Sequence, residues 1–211
     1  VYLTSYYEPF VFLNPELTRY DCLSLAHEFG HFCNDYACYG SYAGVDVTEF
    51  FSQGMEYLAL CYGEHTEDLT AIKMADSLCL FVEQAALARF EQEMYGLTGD
   101  ALTPEGLYSL YEEIVLDYGF ETVAYDRREF VNITHFYTNP MYILSYIFSN
   151  DAAMQLYQLE QGSSGAGLKL YEENLASQQA WFLAFLEEAG LESPFDRVDE
   201  VRALMEARFG T

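Results

Sequence analysis

His27, Glu28 and His31 stand in the run HEFGH. On a helix, residues four apart lie nearly one above the other, about 6 Å along the axis, so both imidazoles can reach one metal ion from the same face. Glu28 sits one step round the helix, beside the metal's open position. A carboxylate there can hold the metal-activated water, accept its proton and hand that proton to a leaving amine. This is the chemistry of a zinc hydrolase. Residues 20–26, just before the motif, carry apolar side chains and no Pro or Gly, as a buried helix would. The alternative is a pair of core histidines with satisfied ring nitrogens.

A catalytic zinc takes three protein ligands and keeps a position for water, so a further carboxylate or imidazole must close the site. Glu49, Ser52, Gln53 and Glu56 fall at i, i+3, i+4 and i+7, a polar stripe between Phe50, Phe51, Met55 and Leu58. Alone, such a stripe would read as a solvated face. Beside HEFGH it wants a buried partner. Glu49 is then the expected third ligand, and Glu56 or Asp46 the acceptor for the outward N–H of a ligating imidazole.

These residues resemble the thimet oligopeptidase and oligoendopeptidase F group of zinc peptidases, with oligoendopeptidase F the closer likeness. HEFGH followed by a glutamate in D-x-x-E-x-x-S-Q-x-x-E is similar to that group's two-helix zinc site. The run from His135 to Tyr146 resembles its downstream His/Tyr segment, and residues 185–195 resemble its C-terminal helices. The likeness covers the chain from about residue 8 to the end. It implies a zincin-like, mainly α, oligopeptidase-type catalytic domain with one Zn2+ per chain on His27, His31 and Glu49, and Glu28 as base. It implies short peptides as substrates, cut in a deep helical channel. It also implies that His135 with Tyr142 or Tyr146 binds substrate and the oxyanion, a role a Tyr O–H or His N–H can fill. Core packing is the competing reading for the two tyrosines.

The elements that must position these groups read almost wholly as helix. Residues 16–38 and 48–62 are the two metal-bearing helices, with a turn over 40–44 between them. A long helix runs from about 68 to 95. Thr103 as cap with Pro104 at the first helical position starts another, to about 118. Residues 138–160 should carry Tyr142 and Tyr146 on one helix, a flexible glycine connector should follow over 162–167, and helices are expected over 168–189 and 197–209. The aromatic opening, residues 2–14, is expected to be extended, with a short edge strand.

The chain is 51% hydrophobic over 211 residues and can bury a core. It begins at Val1 without Met, and the resembled family has a long helical region before its zinc motif. Residues 1–211 are therefore expected to be one C-terminal catalytic part of a longer enzyme whose N-terminal region is missing. Nine Lys+Arg against 34 Asp+Glu give a net charge of −25, which disfavours nucleic acid and anionic membranes. Five cysteines, an odd number set mostly in helical segments, fit reduced thiols and a cytoplasmic setting. Two further functional readings are carried forward. One is a helical zinc carboxypeptidase, which needs a cation for the substrate's terminal carboxylate. The other is a non-catalytic, metal-bound helical domain.

Overall fold

The computed structural model describes residues 2–41, 43–120 and 126–209, so the turn expected over 40–44 includes one position, 42, outside the described residues. The architecture is mainly α, as expected. In chain order the elements are β1 (Tyr2–Leu3), β2 (Glu8–Pro9), α1 (Tyr20–Ala37), α2 (Val45–Tyr62), α3 (Glu67–Gly96), α4 (Pro104–Asp117), α5 (His135–Thr138), α6 (Ile143–Gly162), α7 (Ala166–Asn174), α8 (Phe182–Ala189) and α9 (Val198–Phe209). No helix among the described residues is long and apolar enough to cross a membrane. The chain divides into two compact units, residues 1–77 with 148–211, and residues 78–147. Both boundaries fall inside helices, α3 and α6, so no break in composition marks them.

In the first unit the expected edge strand is a small hairpin, with Tyr2 opposite Pro9 and Leu3 opposite Glu8. Pro9 has no N–H to extend the ladder. Helix α1 starts at Tyr20 rather than near 16 because residues 16–19 form a turn. Leu17 has φ 61°, outside the helical region, and the Asp21 carboxylate accepts from the backbone N–H groups of Glu16 and Thr18 at 3.1 Å each.

Helix α1 buries Leu23, Ala26, Gly30 and Asn34, one face at i, i+3, i+7 and i+11. Its outer face carries a stacked ladder, Phe29 on Phe32 at 5.6 Å and Phe32 on Tyr36 at 6.3 Å between ring centroids. Helix α2 is buried on nearly all sides. Val47, Phe50, Phe51 and Leu58 form the unit's core with Leu156 of α6, Tyr171 of α7 and Phe185 and Leu186 of α8.

Two expectations for this unit need correction. The helix expected over 168–189 is two, α7 and α8. The segment between them turns because its carbonyls are claimed from α1: Leu175 O accepts from Asn34 Nδ2 at 2.8 Å and Ser177 O from Cys38 Sγ at 3.5 Å. The glycine run is an ordered turn rather than a flexible connector. Gly165 takes φ 86°, and the buried Glu160 carboxylate accepts from Gly165 N at 2.6 Å, Leu168 N at 3.0 Å and Tyr62 Oη at 2.8 Å. The carboxylate thus caps the first turn of α7.

The second unit packs α4 against the later part of α3 around Phe90, Tyr111, Ile114, Phe130, Phe136 and Ile143. Thr103 caps α4 as expected, its Oγ1 accepting from Gly106 N at 3.1 Å, with Pro104 at the first position. The helix expected from 138 begins at Ile143 instead. Met141 before it has φ 62°, which an α-helix cannot include.

Candidate metal centre and the His135 cluster

The metal-ligand candidates come from two adjacent helices whose approach depends on Gly30 of HEFGH. A Cβ built there would lie 2.4 Å from Phe51 O and 2.6 Å from Ser52 Cα. Only glycine lets the α1 face meet the α2 backbone at this distance. With the helices so close, one nitrogen each from His27 and His31 and one oxygen of Glu49 lie within 4.8 Å of one another. His27 Nε2 is 3.6 Å and His31 Nε2 3.8 Å from Glu49 Oε2, too far for hydrogen bonds to that oxygen. Two imidazole nitrogens thus converge on a carboxylate that is 3% exposed. A dication among the three would compensate that charge, and two nitrogens with one oxygen suit zinc with a position left for water.

The polar stripe of α2 is buried at all four positions, and its partners are specific. Ser52 Oγ lies 2.9 Å from Glu49 O and 3.2 Å from Glu49 Oε2, and its single hydrogen is shared between the carbonyl and the carboxylate. Gln53 Nε2 donates to Ser149 Oγ at 2.9 Å. Glu56 Oε1 pairs with His27 Nδ1 at 2.8 Å, and Glu56 Oε2 with Lys73 Nζ at 2.8 Å. Of the two acceptors expected for the outward imidazole N–H, Glu56 therefore occupies that place. Asp46, in the first turn of α2, bonds neither histidine among the described residues. The Ser52 contact and the Lys73 contact lie outside the sequence reading. Ser52 stood in the stripe without a role, and Lys73 gave no signal.

Burial works against a charged His27, but the bond to Glu56 and the carboxylates of Glu56, Glu49 and Glu28 outweigh it and hold the ring above the ordinary histidine value. For His31 burial wins and pushes the ring below that value. Burial would raise Glu56, yet Lys73 and His27 together hold it below the usual carboxylate value. Lys73 is likewise desolvated, and Glu56 keeps it charged. Glu28 has no hydrogen bond or ion pair among the described residues. It lines a cavity of about 230 Å³ with Phe12, Leu13, Tyr20, Leu23, His27 and Glu56. Cys33 and Cys38 are free thiols, and Cys38 is buried against Asn34, Leu175 and Ser177.

The second unit gathers His135, Tyr142 and Tyr146. The His135 ring stacks on Tyr142 with centroids 4.4 Å apart and planes 4° from parallel, and Tyr146 Oη lies 3.5 Å from His135 Nε2. The tyrosine rings meet at 5.3 Å, although Tyr142 precedes α6 and does not share its helix as expected. Fully buried Glu91 holds this turn, accepting from Met141 N and from Tyr95 Oη at 2.8 Å each. His135 and Tyr146 line a cavity of about 330 Å³ with Gln84, Leu87, Tyr111 and Glu129. His135 Nδ1 faces no hydrogen-bond partner among the described residues.

No family model matches the chain, and no curated protein does. Three solved structures share its fold. One is a protein described as oligoendopeptidase F, with TM-score 0.86 and 23% identity over 98% of this chain and 40% of that one. Another is PZ peptidase A with an inhibitor, with TM-score 0.85 and 21% identity over 98% and 40%. The third, described as an oligoendopeptidase F from Bacillus anthracis strain Ames, gives TM-score 0.77 and 19% identity over 98% and 38%. The fold of this chain is thus the helical fold of that portion of an oligoendopeptidase. It spans about two fifths of the length of each of these proteins.

Proposed function

We propose that the chain carries the metal centre of a zinc-dependent peptidase that cleaves short peptides internally. The observation that carries this reading is the convergence of donor atoms from His27, His31 and Glu49 within 4.8 Å, with Glu28 lining a cavity together with His27. The fold it shares with structures described as oligoendopeptidases supports it. His27, His31 and Glu49 would hold the ion, which when bound supplies Lewis acidity and lowers the pKa of water in its open position.

The chain's own groups account for the remaining chemistry. Glu28, half-buried and with no hydrogen bond among the described residues, takes the proton from the attacking water and delivers it to the leaving amine. Glu56 accepts from His27 Nδ1, leaving Nε2 as the ligating nitrogen. In this reading His135 with Tyr142 or Tyr146 donates to the substrate carbonyl as it becomes an oxyanion. A carboxypeptidase would need a free cation for the substrate's terminal carboxylate, and Lys73, beside Glu56, does not offer one because it is buried and paired.

The test is zinc content per chain beside cleavage of a quenched fluorescent oligopeptide, with and without chelator. Internal cleavage abolished by chelator and restored by zinc is the expected result. Glu28→Gln should keep its zinc and lose about 10²- to 10⁴-fold in turnover. Full activity in that variant would overturn the assignment of the base. Cleavage confined to the last residue of a peptide, and blocked by C-terminal amidation, would favour the exopeptidase.

A further inference from the structure

We propose that Lys73 is a positioning residue for the metal centre, fixing the orientation and tautomer of His27 through Glu56. The inference rests on the metal-centre reading above. Lys73 is 1% exposed, on a helix that supplies none of the ligands. Its ammonium lies 2.8 Å from Glu56 Oε2, 4.0 Å from Asp76 Oδ2 and 5.0 Å from the centre of the Tyr57 ring. Tyr57 is itself pinned, its hydroxyl 2.8 Å from Ser77 Oγ, and Asp76 accepts from Tyr20 Oη at 3.1 Å. The lysine therefore has one position, set from three sides.

A lysine so deeply buried is costly unless it is paired, and removing one partner of such a pair leaves the other charge stranded. That cost is accepted here beside a histidine whose outward nitrogen needs a fixed acceptor. A carboxylate has two oxygens and can rotate. With Oε2 held by Lys73, Glu56 presents only Oε1 to His27, at 2.8 Å. His27 Nδ1 must then carry the hydrogen, and Nε2 keeps its lone pair for the ion beside Glu49. Without the ammonium, Glu56 could turn, and His27 could adopt the opposite tautomer or rotate away. Groups that hold a ligand in this indirect way typically contribute about 10- to 100-fold to metal affinity.

The test is zinc affinity of the 211-residue chain, measured by competition with a chromophoric chelator, for the parent, Lys73→Met, Lys73→Arg, Glu56→Gln and the double variant Glu56→Gln/Lys73→Met. Lys73→Met should bind zinc about 10- to 100-fold more weakly, with Lys73→Arg recovering most of the loss. In the Glu56→Gln background, Lys73→Met should change affinity by less than about 3-fold, because its route to the histidine is already gone. The double variant strands neither partner of the Lys73–Glu56 pair, so it keeps a folded comparison if Lys73→Met alone fails to fold. Equal losses in both backgrounds, or folded Lys73→Met binding zinc as the parent does, would overturn the proposal and leave the metal centre standing. A parent that binds no zinc would overturn both.

Discussion

Gly30 of α1 and Phe51 of α2 meet so closely that a methyl group on the glycine would sit 2.4 Å from the phenylalanine's carbonyl oxygen. Gly30→Ala must therefore push the two helices apart. An overpacked contact of this kind costs about 1–3 kcal/mol, and here the displacement also separates Glu49 from the two imidazoles. The variant should show a lower melting temperature and a larger loss of zinc affinity than a stability change alone produces. Melting curves with and without zinc check both, since the stabilisation that zinc gives should shrink in the variant.

Glu160 gives a prediction about pH. Backbone N–H groups of Gly165 and Leu168, with the Tyr62 hydroxyl, bond its carboxylate and hold it below the ordinary glutamate value of 4.5. A group depressed in the folded state adds stability above its unfolded value, and that contribution is lost as pH falls through the folded one. Glu160→Gln should therefore melt lower than the parent at pH 7, and the two should converge as the pH falls below the ordinary glutamate value. Parallel curves at every pH would mean the charge is irrelevant to the cap.

Arg197 and Asp151 form a buried pair, 5% and 2% exposed, with Arg197 Nε 3.1 Å and 3.2 Å from the two carboxylate oxygens. The guanidinium also reaches Gln158 Oε1 and Glu200 Oε2 at 3.1 Å each. Arg197→Met strands the aspartate and should cost roughly 3–5 kcal/mol in urea unfolding. Adding Asp151→Asn should recover part of that loss, the signature of a stranded charge rather than of lost packing.

Much of the candidate metal centre is legible in the sequence because it is local. HEFGH fixes two donors by helical period, and the polar stripe of α2 marks Glu49 and Glu56 by the same period. Beside HEFGH such a stripe wants a buried partner. What escaped depends on contacts between distant segments. Lys73 carries no signal in the sequence, since its burial follows from packing that no local pattern encodes. The turn between α7 and α8 has no Pro or Gly to announce it. It is set by Asn34 and Cys38, and both bonds reach across most of the chain. Met141 with φ 62° ended a helix that periodicity alone carried through, and Glu91, which anchors it, is visible only in three dimensions.

Tyr142 and Tyr146 can be separated by their hydroxyls. If one of them donates to the oxyanion, its change to Phe should lower kcat by about 10²- to 10³-fold, while the other should cost less than about 10-fold. The Tyr142 ring lies flat on His135, so Tyr142→Phe preserves the stack and tests the hydroxyl alone. Effects under 10-fold in both variants would return the pair to a packing role.

All of the expected ligands, the proposed base Glu28 and the acceptor Glu56 lie on α1 and α2, one helical hairpin spanning Tyr20 to Tyr62. Contacts between neighbours in sequence form early, because little chain entropy is spent in closing so short a loop. An ion could therefore be captured by the hairpin while α6 to α9 are still unfolded. Zinc added at the start of refolding should protect the amides of α1 and α2 from hydrogen exchange before those of α8, the expected outcome if a bound ion acts as a nucleus for assembly.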